Sequence, residues 1–277
     1  MLAVFLTSLG TFFQEISNTI GKTQANGGRE SPYSLGFLDV FGATLVFAGM
    51  AVFIPGSFVF SLASIPFVVL RLVLGIAQAH ATVFGMVLAS RSTFGFLRTI
   101  TIPLLLGMDF LLGYFVSMRQ YAGVVIIVAV LIFLFINHGL SRKGSGLVLF
   151  SAVNAVILIS LYKHIITYYN SVVAEQLITH VFLLVYFFIA AKIFAGENPF
   201  LMLRKRVFFI QSFTQGFGGV LESFAYLFAP ASIIIAATRA SSIIWSVISG
   251  HIYFHEKGLI VKILGMIFLI LGLYLLL

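Results

Sequence analysis

The stretch 238–277, TRASSIIWSVISGHIYFHEKGLIVKILGMIFLILGLYLLL, decides the fold. It reads as an apolar helix that carries Arg239, a charged turn at 255–257, and a second apolar helix. The same order of features occurs at 91–135, where a helix that contains Arg98 is followed by a short turn and an apolar helix. A unit that occurs twice in an apolar chain predicts a membrane protein built from two halves.

The composition excludes a soluble domain. Of the 277 residues, 61% are hydrophobic and only 9% are charged, and a soluble protein could not hide so much apolar surface from water. The net charge of +8 is typical of basic loops that face anionic lipid, so we expect the lipid bilayer rather than nucleic acid as a partner. The chain has no cysteine, which excludes disulfides and thiolate metal sites.

Ten segments are each apolar over about the 20 residues that a membrane helix needs. Short breaks between them carry glycine, proline or charge, as connections between spans do, and none could hold a soluble domain. The N-terminus has no basic region or cleavage site of a signal peptide, so we expect the first span to be retained. The predicted spans are residues 2–21, 35–54, 64–88, 92–115, 120–137, 145–166, 173–194, 205–227, 230–253 and 258–277.

The predicted fold is therefore an all-α integral membrane protein with ten transmembrane helices. The break at 141–144 divides it into a first repeat, 1–140, and a second repeat, 145–277, within one membrane domain. Because five is odd, two five-helix halves must cross the membrane in opposite directions, which is the condition for an inverted repeat. Placing Gly123 over Gly265 offsets the halves by about 142 residues. This alignment pairs Asp109 with His251, and it brings Arg98 within one position of Arg239.

The end of the second half carries further motifs. It reads YFHEKGLIVKILGMIFLILGLYL over 253–275, with Glu256 as an acid in the turn and Leu264-Gly265 in the last helix. The segment GGVLESFAYLF, 218–228, precedes this unit. The first half has TITIPLLLGMDFLLGYFVSMRQYAGVVIIVAVLIF over 99–133.

In the first half, Pro103 lies in a helix and Ala122-Gly123 in the next, and the turn acid is absent. In these features and in its ten spans, the chain resembles the drug/metabolite transporter superfamily, in its EamA-like branch. The resemblance implies a transporter with a central cavity lined by helices 1–4 and 6–9, and with helices 5 and 10 at the periphery. It leaves the substrate open, because the family moves amino acids, sugars, nucleotide conjugates and drugs.

Polar side chains recur on single faces of the predicted helices. An α-helix turns by about 100° per residue, so positions 4, 7 or 11 apart share a face. Lipid cannot satisfy polar groups, and such stripes therefore face protein or water. The fifth and tenth helices have almost no polar interior residues, as a peripheral position requires. The candidate substrate-binding residues are Gln14, Asn18, Gln78, Arg98, Gln211, Gln215, Glu222 and Arg239.

Stripes of small or polar residues also mark close helix packing, and for the two glutamines of the eighth helix the two interpretations weigh about evenly. For Arg98, Glu222 and Arg239 a functional role is favoured, because a charge at the bilayer centre costs at least ~2.5–3.5 kcal/mol on insertion scales. A structural salt bridge is the alternative for each. Arg71 and Glu175 lie near span ends, where we expect their charges to reach the interface.

We expect a secondary transporter that moves a small metabolite, anionic or amino-acid-like, by alternating access. Arg98 and Arg239 would make the cavity electropositive, which suits a carboxylate or a phosphate. Glu222 is the first candidate for coupling to protons and Asp109 the second. A flippase for lipid-linked substrates, with a cavity open sideways to lipid, is the alternative. The six histidines lack metal-ligand spacing and no phosphate loop or catalytic motif occurs, so we expect no metal, cofactor or enzymatic activity.

Two orientations in the membrane are consistent with the sequence. Basic residues concentrate in the odd-numbered connections, which the positive-inside rule places in the cytoplasm, with both termini outside. The family resemblance implies both termini inside. Either way, we expect a multi-pass protein of the cell membrane.

Overall fold

A computed structural model describes residues 1–26, 31–88, 97–98, 100–136, 144–254 and 259–276. In these ranges the regular structure is helical, without strands. The described helices of eleven residues or more are α1 (Leu2–Asn26), α2 (Pro32–Phe53), α3 (Ile65–Leu88), α4 (Thr101–Leu111), α5 (Met118–Ile136), α6 (Ser145–Tyr168), α7 (Val172–Ala195), α8 (Arg206–Ala225), α9 (Ala231–Phe254) and α10 (Leu259–Leu276). Short helical turns also form at Leu62–Ser64 and Pro199–Met202.

Four described segments are long and apolar enough to cross a membrane, judged by length and composition, and they indicate a membrane protein. They are Pro32–Phe53, Leu62–Thr82, Ser145–Tyr168 and Val172–Ala195. The all-helical class is confirmed, and each of the ten predicted spans overlaps one of the helices α1–α10. That all ten helices cross the membrane, and that the halves are inverted, stay predictions.

Serine caps define where two of these apolar helices begin. Ser31 precedes α2, where its Oγ accepts a hydrogen bond from the N–H of Ser34 at 3.2 Å and Pro32 starts the helix. Ser171 does the same for α7, accepting from the N–H of Ala174 at 3.2 Å. The first N–H groups of a helix lack intrahelical partners, so each hydroxyl stabilises the start of its helix.

Helices α1 and α8 cross at two glycines. A Cβ on Gly10 would lie 2.7 Å from the carbonyl oxygen of Gly218, and a Cβ on Gly218 would lie 2.8 Å from Cγ of Gln14. Only hydrogen fits at these two positions, and the helices therefore approach more closely than larger residues would allow. One turn after Gly218, α8 carries Glu222, which the crossing brings next to α1.

The helices pack in two groups. Helix α1 contacts α8 and α9, and we call these three helices bundle A. Helix α6 contacts α3 and α4, and we call these three bundle B. Helix α2 packs on both α7 and α8, whereas α5 packs chiefly on α10. The largest apolar core surrounds the first half of α9, which buries Ile233, Ile234, Ala236 and Ala237.

Both described ends of the chain lie at one face of the molecule, which we call the terminal face. The connections 54–64, 112–117, 169–171 and 226–230 meet there, because consecutive helices alternate in direction. Hydrogen bonds join two of them: the N–H of Ser61 donates to Oδ1 of Asn170 at 2.9 Å, and the N–H of Val59 donates to Oγ of Ser171 at 3.0 Å. The other end of the molecule is the opposite face.

Candidate functional site

A polar centre forms around Glu222 in the interior of bundle A. Gln14 Nε2, on α1, donates a hydrogen bond to Glu222 Oε2 at 3.0 Å. Thr238 Oγ1, on α9, donates to the other carboxylate oxygen at 2.9 Å. Both oxygens of one carboxylate are therefore held by two different helices. We call Glu222 and the polar groups around it the Glu222 centre.

Two arginines share this single carboxylate. Arg98, just before α4, and Arg239, on α9, both interact electrostatically with Glu222, and the two guanidinium charges repel each other. Among the described residues, two cations thus interact with one anion, an excess of one positive charge. Within the described part of the chain, Nε of Arg239 is buried and has no hydrogen-bond partner. Such an arrangement can accept one further negative charge.

Aromatic rings lie beside the Glu222 centre. Phe12 of α1 meets Trp245 of α9 edge to face, with ring centroids 4.8 Å apart. The indole N–H of Trp245 donates to the carbonyl oxygen of Ser8 at 3.1 Å. Phe13 packs on Phe217 of α8 in the same way, at 4.9 Å. These ring contacts join the three helices of bundle A and place apolar surface around the polar groups.

Several of the predicted site residues come together here. Gln14, Arg98, Glu222 and Arg239 form the Glu222 centre. Gln215 lies two turns before Glu222 on the same face of α8, and its Oε1 is a buried acceptor without a partner among the described residues.

Other predicted site residues lie elsewhere. Asn18 is exposed, one turn beyond Gln14. Gln211 is buried where α8 passes α1, with its Nε2 so close to Gly21 that a Cβ there would lie 3.0 Å away. This position matches the helix-packing role that the sequence left open for it.

Gln78 belongs to a separate polar network between α3 and α6. Its Nε2 donates to Thr82 at 3.1 Å, and its Oε1 accepts from Asn154 Nδ2 at 3.1 Å. Asn154 Nδ2 also donates to the carbonyl oxygen of Leu74 at 3.0 Å, and Thr82 lies 3.3 Å from Ser151. The described partners in this network are uncharged and come from these two helices, so it resembles helix packing rather than a ligand site.

Asp109, the second coupling candidate, lies outside the Glu222 centre. Its Oδ2 accepts from the backbone N–H of Ser232 at 2.7 Å and its Oδ1 from that of Ala231 at 3.3 Å. The side chain is 1% exposed. It caps the start of α9, where unpaired N–H groups and the helix dipole favour a negative charge.

The interface positions expected for Arg71 and Glu175 are wrong. Arg71 Nη1 and Glu175 Oε1 form a salt bridge of 2.6 Å between α3 and α7, with side-chain exposures of 10% and 0%. Thr179 accepts a second hydrogen bond from Arg71 at 2.7 Å, and Asn170 donates to Glu175 at 3.1 Å. Their position near helix starts suggested access to the interface, but neighbouring helices cover both charges.

Some predicted features lie beyond what the structure describes. Residues 141–143 and the turn acid Glu256 are outside the described residues, and the surroundings of His251 and Gly265 are likewise not described. Among the described residues, no group of three His, Asp or Glu side chains is placed to hold a metal ion.

Comparison with known proteins shows the fold but not the family. No protein-family model and no curated protein matches the sequence. Among 25 matching chains of solved structure, one described only as "Crystal structure of protein" superposes with a TM-score of 0.68. The match covers 98% of this chain and 97% of that chain at 13% sequence identity. The full length of the chain thus adopts a fold that also occurs in a solved protein.

Proposed function

We propose that this protein is a secondary transporter that moves a small metabolite across the cell membrane by alternating access, with its binding site at the Glu222 centre. The carrying observation is a partly buried polar centre between apolar helices, in which the described residues place two cations around one carboxylate. Gln14 and Arg98 of residues 1–140 and Glu222 and Arg239 of residues 145–277 build this centre. Buried charge is costly in a membrane, and such groups commonly line substrate or ion pathways.

The order of helix contacts supports two inverted halves. If each helix of the first half corresponds to the helix five places later, the α1–α8 contact corresponds to α6–α3, and α1–α9 corresponds to α6–α4. The α2–α8 contact likewise corresponds to α7–α3, and all six contacts occur. The serine caps of α2 and α7 are also equivalent, because Ser31 and Ser171 lie roughly 140 residues apart. An inverted repeat around a central site is the architecture of many secondary transporters. We therefore also propose distant membership of the drug/metabolite transporter superfamily.

The charges of the centre favour an anionic or amino-acid-like substrate. A carboxylate or phosphate would offset the excess positive charge of Arg98 and Arg239. Glu222 competes for the same guanidinium groups, so protonation of Glu222 would free them for the substrate. We therefore assign proton coupling to Glu222 and helix capping to Asp109.

The purified protein tests this proposal in two steps. Thermal unfolding is measured with amino acids, sugar phosphates, nucleosides and polyprenyl phosphates, since a ligand that binds the folded state raises its midpoint by mass action. The compound with the largest shift is then used in proteoliposomes, where we expect saturable uptake driven by a pH gradient. A folded protein that transports none of these compounds would contradict the proposal.

Glu222→Gln separates coupling from binding. We expect this variant to lose uptake driven by the pH gradient and to retain exchange of internal for external substrate. Glu197→Gln is the matched control, because Glu197 accepts from Ser31 and Ser34 at the opposite face, away from the centre. Uptake by Glu222→Gln that still follows the pH gradient would remove Glu222 from the coupling mechanism.

A flippase for lipid-linked substrates is the second candidate, and one observation favours it. A groove of about 510 Å³ opens on the outside of α3, α6 and α7, with apolar walls that include Val73 and Phe150. At its side, His80 Nδ1 and Tyr186 Oη lie 3.1 Å apart, a polar pair on an otherwise apolar surface. A thermal shift with polyprenyl phosphates alone would favour this candidate.

A reporter fused after Leu277 tests the orientation. The basic connections on the opposite face predict that the reporter is active outside the cytoplasm. Cytoplasmic activity would instead support the orientation implied by the family resemblance.

A further inference from the structure

At the terminal face, two charged side chains of bundle B bind the turn between α8 and α9 of bundle A, and we call these contacts the grip. Asp109 of α4 accepts from the N–H groups of Ala231 and Ser232 at 3.3 and 2.7 Å. Lys163 of α6 donates to the carbonyl oxygens of Tyr226 and Ala229, the latter at 3.2 Å. These two opposite charges hold the two sides of one turn.

The grip matches the electrostatics of the helix ends. The carbonyl groups at the end of α8 have no intrahelical partner and lie at the negative end of the helix dipole, where Lys163 binds. The N–H groups at the start of α9 lie at the positive end of its dipole, where Asp109 binds. Each charge thus meets backbone groups of opposite polarity, and removing it leaves buried groups unpaired.

A third contact reinforces the grip. Tyr162, adjacent to Lys163 on α6, donates its hydroxyl to the carbonyl oxygen of Ser223 at 3.0 Å. The guanidinium of Arg71 lies 4.7 Å from the centroid of the Tyr162 ring and is itself held by Glu175. The buried salt bridge therefore positions Tyr162 against α8.

The residue that the alignment of the halves places opposite Asp109 is not acidic. In the alignment of the halves, the position of Asp109 corresponds to His251, and no Asp or Glu occurs between Glu222 and Glu256. A carboxylate equivalent to Asp109 is thus missing from the second half. If the two halves are inverted, unequal contacts at the two faces stabilise one access state of the transporter over the other.

We propose that Asp109, Lys163 and Tyr162 form a latch that closes the terminal face, so that the transporter rests with the Glu222 centre accessible from the opposite face. The terminal face opens when Asp109 and Lys163 release the α8–α9 turn. The inference rests on the proposed alternating access and adds which face is closed at rest and which residues close it.

Spin-label distances test the latch directly, and the absence of cysteine from the chain allows specific labelling. One pair, Phe5→Cys with Leu111→Cys, joins α1 to α4 at the terminal face through side chains that are exposed. The second pair, Thr23→Cys with Leu88→Cys, joins α1 to α3 at the opposite face and is also exposed. Distances are measured by pulsed electron spin resonance in lipid nanodiscs.

In the parent protein we expect one short, narrow distance for the terminal pair and a long one for the opposite pair. Asp109→Ala should raise the fraction with a long terminal distance at least about tenfold and shorten the opposite pair, because lost hydrogen bonds to a charge shift a two-state equilibrium by that order. Lys163→Met removes the second charged contact to the turn and should change the distances of both pairs in the same direction. This variant tests the latch even if Asp109→Ala does not fold.

Glu197→Gln is again the matched control, since this carboxylate also binds near a helix start, that of α2, but lies at the opposite face. Unchanged distances in folded Asp109→Ala or Lys163→Met, or an equal change in Glu197→Gln, would overturn the latch. The distances do not depend on substrate. A shift without any transport would retain the latch and contradict the proposed function, and transport without a shift would do the reverse.

Discussion

The Arg71–Glu175 salt bridge and the Glu222 centre both place charge between helices, the first buried and the second partly buried, but they differ in the balance of charge. In the first, one cation meets one anion at 2.6 Å, and Thr179 and Asn170 take up further hydrogen bonds. In the second, Arg98 and Arg239 share one carboxylate, and Nε of Arg239 lacks a partner within the described residues.

This difference separates a structural charge from a functional one. A balanced pair with satisfied hydrogen bonds needs nothing further, and its main effect is to fix which helices are neighbours. An unbalanced centre between apolar helices is costly even when partly buried, and a ligand or a proton that completes it lowers this cost. If this contrast holds, variants of the salt bridge should alter stability, and variants of the Glu222 centre should alter binding.

The largest loss of stability is expected for Glu175→Ala. It leaves the Arg71 charge buried without its partner, which costs about 3–5 kcal/mol in comparable buried pairs. The free energy of unfolding is measured by titration with denaturing detergent. A double variant, Arg71→Met with Glu175→Leu, is the control and should recover most of the loss, because no buried charge remains. A loss below about 1 kcal/mol for Glu175→Ala would show that the pair is not structural.

A smaller loss is expected for Gly218→Ala, which alters the crossing that brings Gln14 to Glu222. The added methyl would meet the Gly10 carbonyl and the Gln14 side chain, and overpacking of this kind costs about 1–3 kcal/mol. Gly219→Ala is the matched control, because its Cβ would meet no atom within 4 Å, and alanine favours a helix. Equal stabilities of the two variants would mean that the crossing does not depend on glycine.

The sequence predicts the Glu222 centre better than it predicts the salt bridge. Gln14, Glu222 and Arg239 lie on polar stripes of apolar helices, and such groups must face the interior wherever the helices pack. The pairing of Arg71 with Glu175 depends instead on α3 and α7 being neighbours, which no local pattern encodes. The cap formed by Asp109 has the same origin, because α9 begins more than a hundred residues later in the chain.

A still smaller loss is expected for Asn154→Ala in the uncharged network between α3 and α6. Single hydrogen bonds between membrane helices average about 0.6 kcal/mol, so the free energy of unfolding should fall by about that amount. Transport and ligand-induced thermal shifts should stay unchanged, as measured in the same proteoliposomes. A loss of transport would place Gln78 and its network in the substrate pathway, as its polar stripe first suggested.

The smallest effect on stability is expected at the Glu222 centre itself. Arg239→Met removes one of two cations, so the lost attraction to Glu222 is offset by relief of the repulsion from Arg98 and of the burial of a charge. We expect the free energy of unfolding to change by less than about 1 kcal/mol. The thermal shift caused by anionic ligands should disappear.

Arg206→Met, which removes an exposed arginine from the start of α8, controls for the loss of net charge and should keep the ligand response. If Arg239→Met were instead as destabilising as Glu175→Ala, Arg239 and Glu222 would be a second structural salt bridge. The contrast between the two charge clusters would then fail. Retained stability with a lost anion response is the outcome that only an unbalanced, ligand-binding centre produces.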